Sequence, residues 1–406
     1  MSGIDGERGE TMNQTTASAQ TGVLNGVRVV ELAMWIAGPS AGGLMADWGA
    51  DVIKVEAPGG DPQRNILSTL GYGDLEVPGF TLDNRGKRSV ELDLATERGT
   101  AAMEALLESA DVFLTNMRPQ SLEQFELAPE QVHARHPGLV VTTITGYGLD
   151  GEEAWRPGYD IGAFWARAGI ARDLVGREEA PIPVRGGLGD HFTGMTAAAG
   201  TMAALLERTT SGKGRIVEAS LLRTGVWAIG HQVVVQEQFG RLQSAKPREI
   251  SPTPMLNSYR AGDGKWFWLI AVEADRHYPG LLAAIARPDL ATDERFLDAK
   301  LRRDNAEVFV AELDVVFASN SMEHWAARFD EHDVWWSPAN SIAEVMDDPQ
   351  IHASGAFVNV EQSDRDDIRS VNSPITFRDL PLTSTPPAPA VGEHTAEVLS
   401  EIGFED

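Results

Sequence analysis

From residue 26 onward the chain alternates β-branched runs with small-residue apolar stretches, and no other feature constrains its fold as strongly. Residues 27–32 and 51–55 read as strands, separated by a helix over 40–48 that Gly49 ends. A second round follows, with a strand over 89–94, a helix over 97–107 capped by Thr96, and strands over 112–114 and 139–144. Strands alternating with helices predict an α/β fold whose mostly parallel sheet is covered on both faces. Ligands of such sheets bind at strand carboxyl ends, which directs attention to the loops after residues 32, 55, 115 and 145.

Beyond Asp190 a long apolar helix reaches about Arg208, a glycine turn at Gly212 and Gly214 follows, and then a strand over 215–219 and a helix over 221–240. The composition then changes to a polar, Pro-rich stretch. Residues 1–22 read as a disordered tail, 23–221 as the first part of a large domain, 222–249 as a linker helix, 250–338 as a smaller domain and 339–406 as a linker and return. Pro381, Pro386, Pro387 and Pro389 suggest an extended strap before a closing helix over 395–402. Five tryptophans in the small domain, Trp266, Trp268, Trp325, Trp335 and Trp336, read as core or as the wall of a bulky pocket.

Charge narrows the partners. With 34 Lys+Arg against 60 Asp+Glu the net charge is −26, which repels phosphate backbones and anionic lipid, so neither nucleic acid nor membrane is an expected partner. The sequence has no cysteine, which removes thiolate nucleophiles and Cys-ligated metals. No apolar run approaches the ~20 residues of a membrane span, and residues 1–22 have no signal-peptide core, so the expected location is cytoplasmic.

Two familiar patterns read as decoys. Gly38-Pro39-Ser40-Ala41-Gly42 fits a hydrolase nucleophile elbow, but Ser40 stands too far past Leu32 to sit on a strand-ending turn. Gly146 to Gly151 fits a dinucleotide fingerprint, but Glu152 and Glu153 occupy the phosphate position, so no nicotinamide cofactor is expected. His133 and His136 lack an acidic ligand in register, and no metal is expected.

Other clusters point to an anionic ligand. Arg85, Lys87 and Arg88 precede a strand, with Lys54 at a neighbouring strand end and Arg118 on the loop after Asn116, a set suited either to a phosphate-rich molecule or to pairing with surface acids. Arg185-Gly186-Gly187-Leu188-Gly189-Asp190 opens the long helix. A carboxylate capping a helix N-terminus is expected to stay ionised, and the glycines leave backbone N–H groups open to a developing oxyanion.

Taken in order and spacing, several segments resemble the family III coenzyme A transferases, a group that includes formyl-CoA and carnitine CoA-transferases and the 2-methylacyl-CoA racemases. They are Gly26 to Leu32, Ala37-Gly38-Pro39, Gly49 to Glu56, Gly86 to Asp93, Gly189-Asp190, Thr193-Gly194, Ser211 to Gly214 and Gly392 to Thr395. The resemblance implies a Rossmann-like large domain, a smaller second domain, a chain that returns to the large one, and an interlocked homodimer. It implies that Asp190 is the catalytic nucleophile, that acyl-CoA and a free carboxylic acid are the substrates, and that CoA lies along the loop Met34 to Pro39 with Trp35, Ile36 and Ala37, along the segment with Arg85, Lys87, Arg88 and Leu92, and along Asn116; Lys54, Arg118 and Thr145 are expected to complete the CoA site. Tyr159, Gly187, Gly189 and His191 are expected to line the site.

Ile36 stands where formyl-CoA transferase has a glutamine, and Ser251-Pro252-Thr253-Pro254 stands in place of its glycine-rich loop, so formyl–oxalyl exchange is not expected. The racemases carry Gly-His-Asp where this chain has Gly158-Tyr159-Asp160, 31 residues before Asp190 when counted from Tyr159. A tyrosine, with a pKa near ~10, is a poor base at neutral pH. CoA transfer is therefore expected, with racemase-type proton transfer and a Ser40-dependent hydrolase as alternatives. His191, beside Asp190, is the one residue placed to act as an unexpected base.

Overall fold

The structure, a computed structural model, describes residues 22–73, 77–240, 245–362, 366–380 and 385–404. The tail assigned to residues 1–22 therefore falls, except for Gly22, outside the described residues, as does Pro381 of the strap.

The chain forms two compact units. The first comprises 1–168, 185–228 and 357–406, and the second 169–184 and 229–356. The second unit thus extends beyond 250–338 on both sides and takes in a separate earlier segment. The expected linker helix is two helices, Leu221–Ala228 and Gly230–Phe239, which fall in different units.

In the first unit six strands, β1 (Arg28–Leu32), β2 (Asp51–Glu56), β3 (Arg88–Glu91), β4 (Val112–Thr115), β5 (Val140–Thr145) and β6 (Ile216–Ser220), form one parallel sheet in the order β3-β2-β1-β4-β5-β6. Alternate side chains serve opposite faces. Val30, Ile53, Val90, Phe113 and Val141 pack against Met103, Leu106, Leu122 and Val398 on one side. Val29, Val52, Val112, Leu114 and Val140 pack against Ala41, Met45, Ala197 and Ala204 on the other.

The strand order reverses between β1 and β4, where Leu32 pairs with Thr115. At such a switch point the following loops diverge to opposite faces and open a crevice. Segments 33–36 and 116–118 border that crevice.

In the second unit β7 (Leu256–Arg260), β8 (Trp266–Ile270) and β9 (Trp336–Pro338) form an antiparallel sheet. Period-two alternation along β8 buries Phe267 and Leu269 and turns Trp266 and Trp268 outward, while Trp325 packs with Phe317 and Phe329 in the core. Trp325 is therefore core. Trp266, Trp268 and Trp335 are exposed.

Candidate active site

A cleft of about 410 Å³ opens at the switch point. Its wall includes Trp35, Ala37, Asn116, Arg118, Thr145, Tyr159 and Asp190, seven of the positions picked out from the sequence. Asn116 shapes the rim by clamping the chain after β1: its Oδ1 accepts the Met34 N–H at 2.9 Å and its Nδ2 donates to the Met34 carbonyl at 2.7 Å. Trp35 is left-handed at φ 65°, and its N–H donates to Asp61 Oδ1 at 3.1 Å, which offsets the backbone strain. Its ring meets Tyr159 edge-on at 6.2 Å.

Tyr159 reaches the cleft through a close backbone contact. A Cβ on Gly146, just after β5, would lie 2.7 Å from the Gly158 Cα, so only glycine permits the approach. Arg118 is exposed, and among the described residues no carboxylate pairs with it.

Asp190 stands in the first turn of the Leu188–Ser211 helix. The sequence suggested an N-cap; the cap is Gly187, left-handed at φ 98°, and Asp190 is the third helical residue. A carboxylate there ordinarily folds back onto the cap's N–H. Here the Gly187 N–H donates instead to Asp160 Oδ2 at 2.8 Å, while Asp160 Oδ1 accepts from Ile161 N at 2.7 Å. Among the described residues no hydrogen bond reaches the Asp190 carboxyl. Burial, then the negative Asp160 and Asp83, push its pKa up from 3.8 to about 7, with His191 pulling the other way. The expectation of a carboxylate held firmly ionised by the helix N-terminus is thus overturned, because desolvation outweighs the dipole once the capping amide is taken. The N–H groups of Gly189 and Asp190 are used by no hydrogen bond among the described residues.

The basic cluster is placed differently from its expected role in phosphate binding. Lys54 is fully buried and donates to Glu31 at 3.2 Å, the Ala33 carbonyl at 2.9 Å and Asp61 at 2.9 Å. Lys87, buried too, donates to Glu31 at 2.7 Å, the Pro39 carbonyl at 2.8 Å and Asn84 at 3.0 Å. An ammonium has three N–H donors, so both are saturated by the protein itself. Burial lowers the Lys87 pKa to about 8; at Lys54 burial acts the same way, but Glu31 and Asp61 outweigh it and the pKa rises.

Arg85 forks onto Asp47 at 3.0 and 2.6 Å, and Arg88 onto Asp51 at 3.0 and 2.8 Å. These four cations hold the strand ends and the Ala37–Asp47 helix together, and none of them lines the cleft. The sequence could not show this, because Glu31 lies 23 residues from Lys54 and 56 from Lys87.

Leu92 lines a smaller cavity of about 160 Å³ with Leu32, Val55, Leu94 and Phe125; Met34 and Met117 border both this cavity and the cleft. Ile36 is the helix-capping residue before Ala37, and its Cδ1 lies near Gly187. Gly189 is fixed by packing, since a Cβ there would lie 2.6 Å from Phe164.

His191 does not line the cleft; it borders a third cavity of about 310 Å³, where its Nε2 meets Asp83 Oδ1 at 2.9 Å. That hydrogen bond raises its pKa. Ser40 lies inside the Ala37–Asp47 helix, buried, and its Oγ donates to the Ala37 carbonyl at 3.0 Å. It is not on an elbow.

Among the described residues no three His, Asp or Glu side chains gather as a metal would need, and no helix is long and apolar enough to cross a membrane. Sequence reasoning missed Asp160, Asp61 and Arg156; Arg156 also lines the cleft.

The model of CoA-transferase family III matches residues 24–395. The chain is similar to (R)-2-hydroxy-4-methylpentanoate CoA-transferase of Clostridioides difficile, 31% identical over 95% of this chain and 96% of that one. It is 31% identical to cinnamoyl-CoA:phenyllactate CoA-transferase of Clostridium sporogenes, over 95% of each. A solved CaiB/BaiF family protein from Brucella suis superposes with a TM-score of 0.81 at 29% identity, covering 94% of this chain and 100% of that one. The chain belongs to CoA-transferase family III.

Proposed function

We propose that the protein moves CoA from an acyl-CoA to a free carboxylic acid through covalent intermediates on Asp190. The observation that carries this reading is the Asp190 carboxyl itself, on the cleft wall, free of hydrogen bonds among the described residues and with a pKa near pH 7. Such a group is ionised in useful amount at neutral pH, yet more basic and less solvated than an ordinary carboxylate.

Its oxygen attacks the thioester carbonyl, the C–S bond breaks, and CoA leaves as thiolate with a mixed anhydride on Asp190. The thiolate then attacks the aspartyl carbonyl, the donor acid leaves as carboxylate, and an aspartyl-CoA thioester remains. The acceptor carboxylate attacks this thioester and expels CoA thiolate. That thiolate takes the acyl group from the new anhydride and regenerates Asp190. The unused N–H groups of Gly189 and Asp190 are the donors we assign to a developing oxyanion.

Arg118, which lines the cleft and pairs with no carboxylate among the described residues, is the residue we assign to the CoA phosphates. The apolar cavity around Leu92 is assigned to the nucleotide end. Binding of that remote end helps to position the thioester. The Gly230–Phe239 helix has no buried residue and exposes Val233, Val234 and Phe239, which supports a homodimer in which a second copy covers it.

The position of His191, outside the cleft and engaged by Asp83, supports transfer over racemisation. Two assays test the reading. A panel of acyl-CoA donors and carboxylate acceptors, followed by mass spectrometry, should give new acyl-CoA without ATP. The same enzyme in deuterated water should incorporate no α-deuterium into a 2-methylacyl-CoA. Deuterium incorporation without exchange would refute the transferase reading.

A further inference from the structure

We propose that Asp160 is a positioning residue, which caps the Leu188–Ser211 helix in place of Asp190 and so keeps the Asp190 carboxyl facing the cleft. This rests on the reading of Asp190 as the nucleophile. A first-turn carboxylate and an uncapped glycine amide three residues earlier form a natural pair, as in a capping box. Left to itself, Asp190 would turn back to the Gly187 N–H.

In this chain Asp160, only 5% exposed, takes that N–H at 2.8 Å with one oxygen and the Ile161 N–H at 2.7 Å with the other. The carboxylate therefore ties the π-helical segment Ile161–Arg167 to the start of the long helix. Phe164, in the same segment, packs on Gly189 so closely that a Cβ there would collide. One side chain and one ring thus hold the cap residue Gly187 and the second helical residue Gly189. Asp160 does not line the cleft.

The arrangement has an electrostatic consequence that separates positioning from simple structural support. The charged groups around Asp190 are Asp160, Asp83 and His191, with Arg118, Arg156 and Tyr159 on the same cleft wall. Replacing Asp160 by alanine removes both its charge and its acceptor oxygens, which frees the Gly187 N–H, and both changes favour ionised Asp190. Its titration should move down while its reach into the cleft is lost.

The test is the rate of aspartyl adduct formation, measured by rapid quench across pH 5 to 9 on the intact enzyme, alongside an NMR titration of carboxyl-labelled protein. Wild type should rise through a midpoint near 7. Asp160→Ala should lower the plateau roughly ten- to a hundredfold and move the midpoint down by about one unit. Asp160→Glu, which keeps the charge and misplaces it, should lower the plateau with the midpoint close to that of wild type. It carries the test if Asp160→Ala does not fold.

A wild-type plateau in either variant, or an Asp190 titration in Asp160→Ala that coincides with wild type, would overturn the proposal. Absence of any adduct in wild type would refute the nucleophile reading instead, and the NMR titration would still decide whether Asp160 withholds the cap.

Discussion

Replacing Asp190 by asparagine should abolish exchange and also make the protein more stable, in a pH-dependent way. Below about pH 4 the folded and unfolded states both hold the Asp190 proton, and the group costs nothing. As pH rises the unfolded chain releases its proton first, so the folded state loses ground until the folded midpoint near 7, above which the penalty is constant. A rise from 3.8 to about 7 corresponds to about 4 kcal/mol. The carboxyl borders a solvent-filled cleft, which screens part of this, so we expect Asp190→Asn to gain about 2 kcal/mol at pH 8. The gain should shrink below pH 7 and vanish toward pH 4. Urea denaturation of both proteins at several pH values measures it. A variant no more stable than wild type at pH 8, or a gain unchanged down to pH 4, would refute the argument that burial sets the ionisation of this carboxyl.

Four further outcomes follow from the geometry. Arg118→Ala should weaken CoA binding by about 1.5 to 3 kcal/mol in calorimetry, whereas Lys87→Ala should lower folding stability by about 3 to 5 kcal/mol because Glu31 loses a buried partner; equal CoA affinity in Arg118→Ala would reject its assignment. Gly194→Ala should lower stability by about 1 to 3 kcal/mol, since a Cβ there would lie 2.1 Å from Ser40 Oγ and 2.8 Å from the Ala37 carbonyl, and a melting temperature equal to wild type would contradict that packing. Ser40→Ala should retain exchange and wild-type insensitivity to a fluorophosphonate; loss of exchange in a folded variant would return Ser40 to consideration.

The large unit was legible where its signal is local. β-branched runs, small-residue helices and their glycine stops predict the sheet because each depends on neighbours a few residues away, and strand alternation alone points to the loops after β1 and β4. The glycine-rich setting and the family resemblance both single out Asp190, and the structure places it on the cleft wall. What the sequence hid depends on long-range pairing. Lys54 and Lys87 look like ligand cations until Glu31 is seen between them, and the capping of Gly187 depends on Asp160, 27 residues earlier. The ionisation of Asp190 was misjudged for the same reason, since a helix N-terminus favours a carboxylate only when its N–H groups are free to reach it. The assignment of segment 169–184 to the second unit has no local signature either.

The most direct measurement of the central claim is peptide mapping by mass spectrometry after incubation with an acyl-CoA donor and quenching with hydroxylamine. The account predicts a hydroxamate on the peptide that carries Asp190, absent without acyl-CoA and absent in Asp190→Asn. Exchange activity that proceeds with that peptide unmodified, or that survives undiminished in Asp190→Asn, would contradict it.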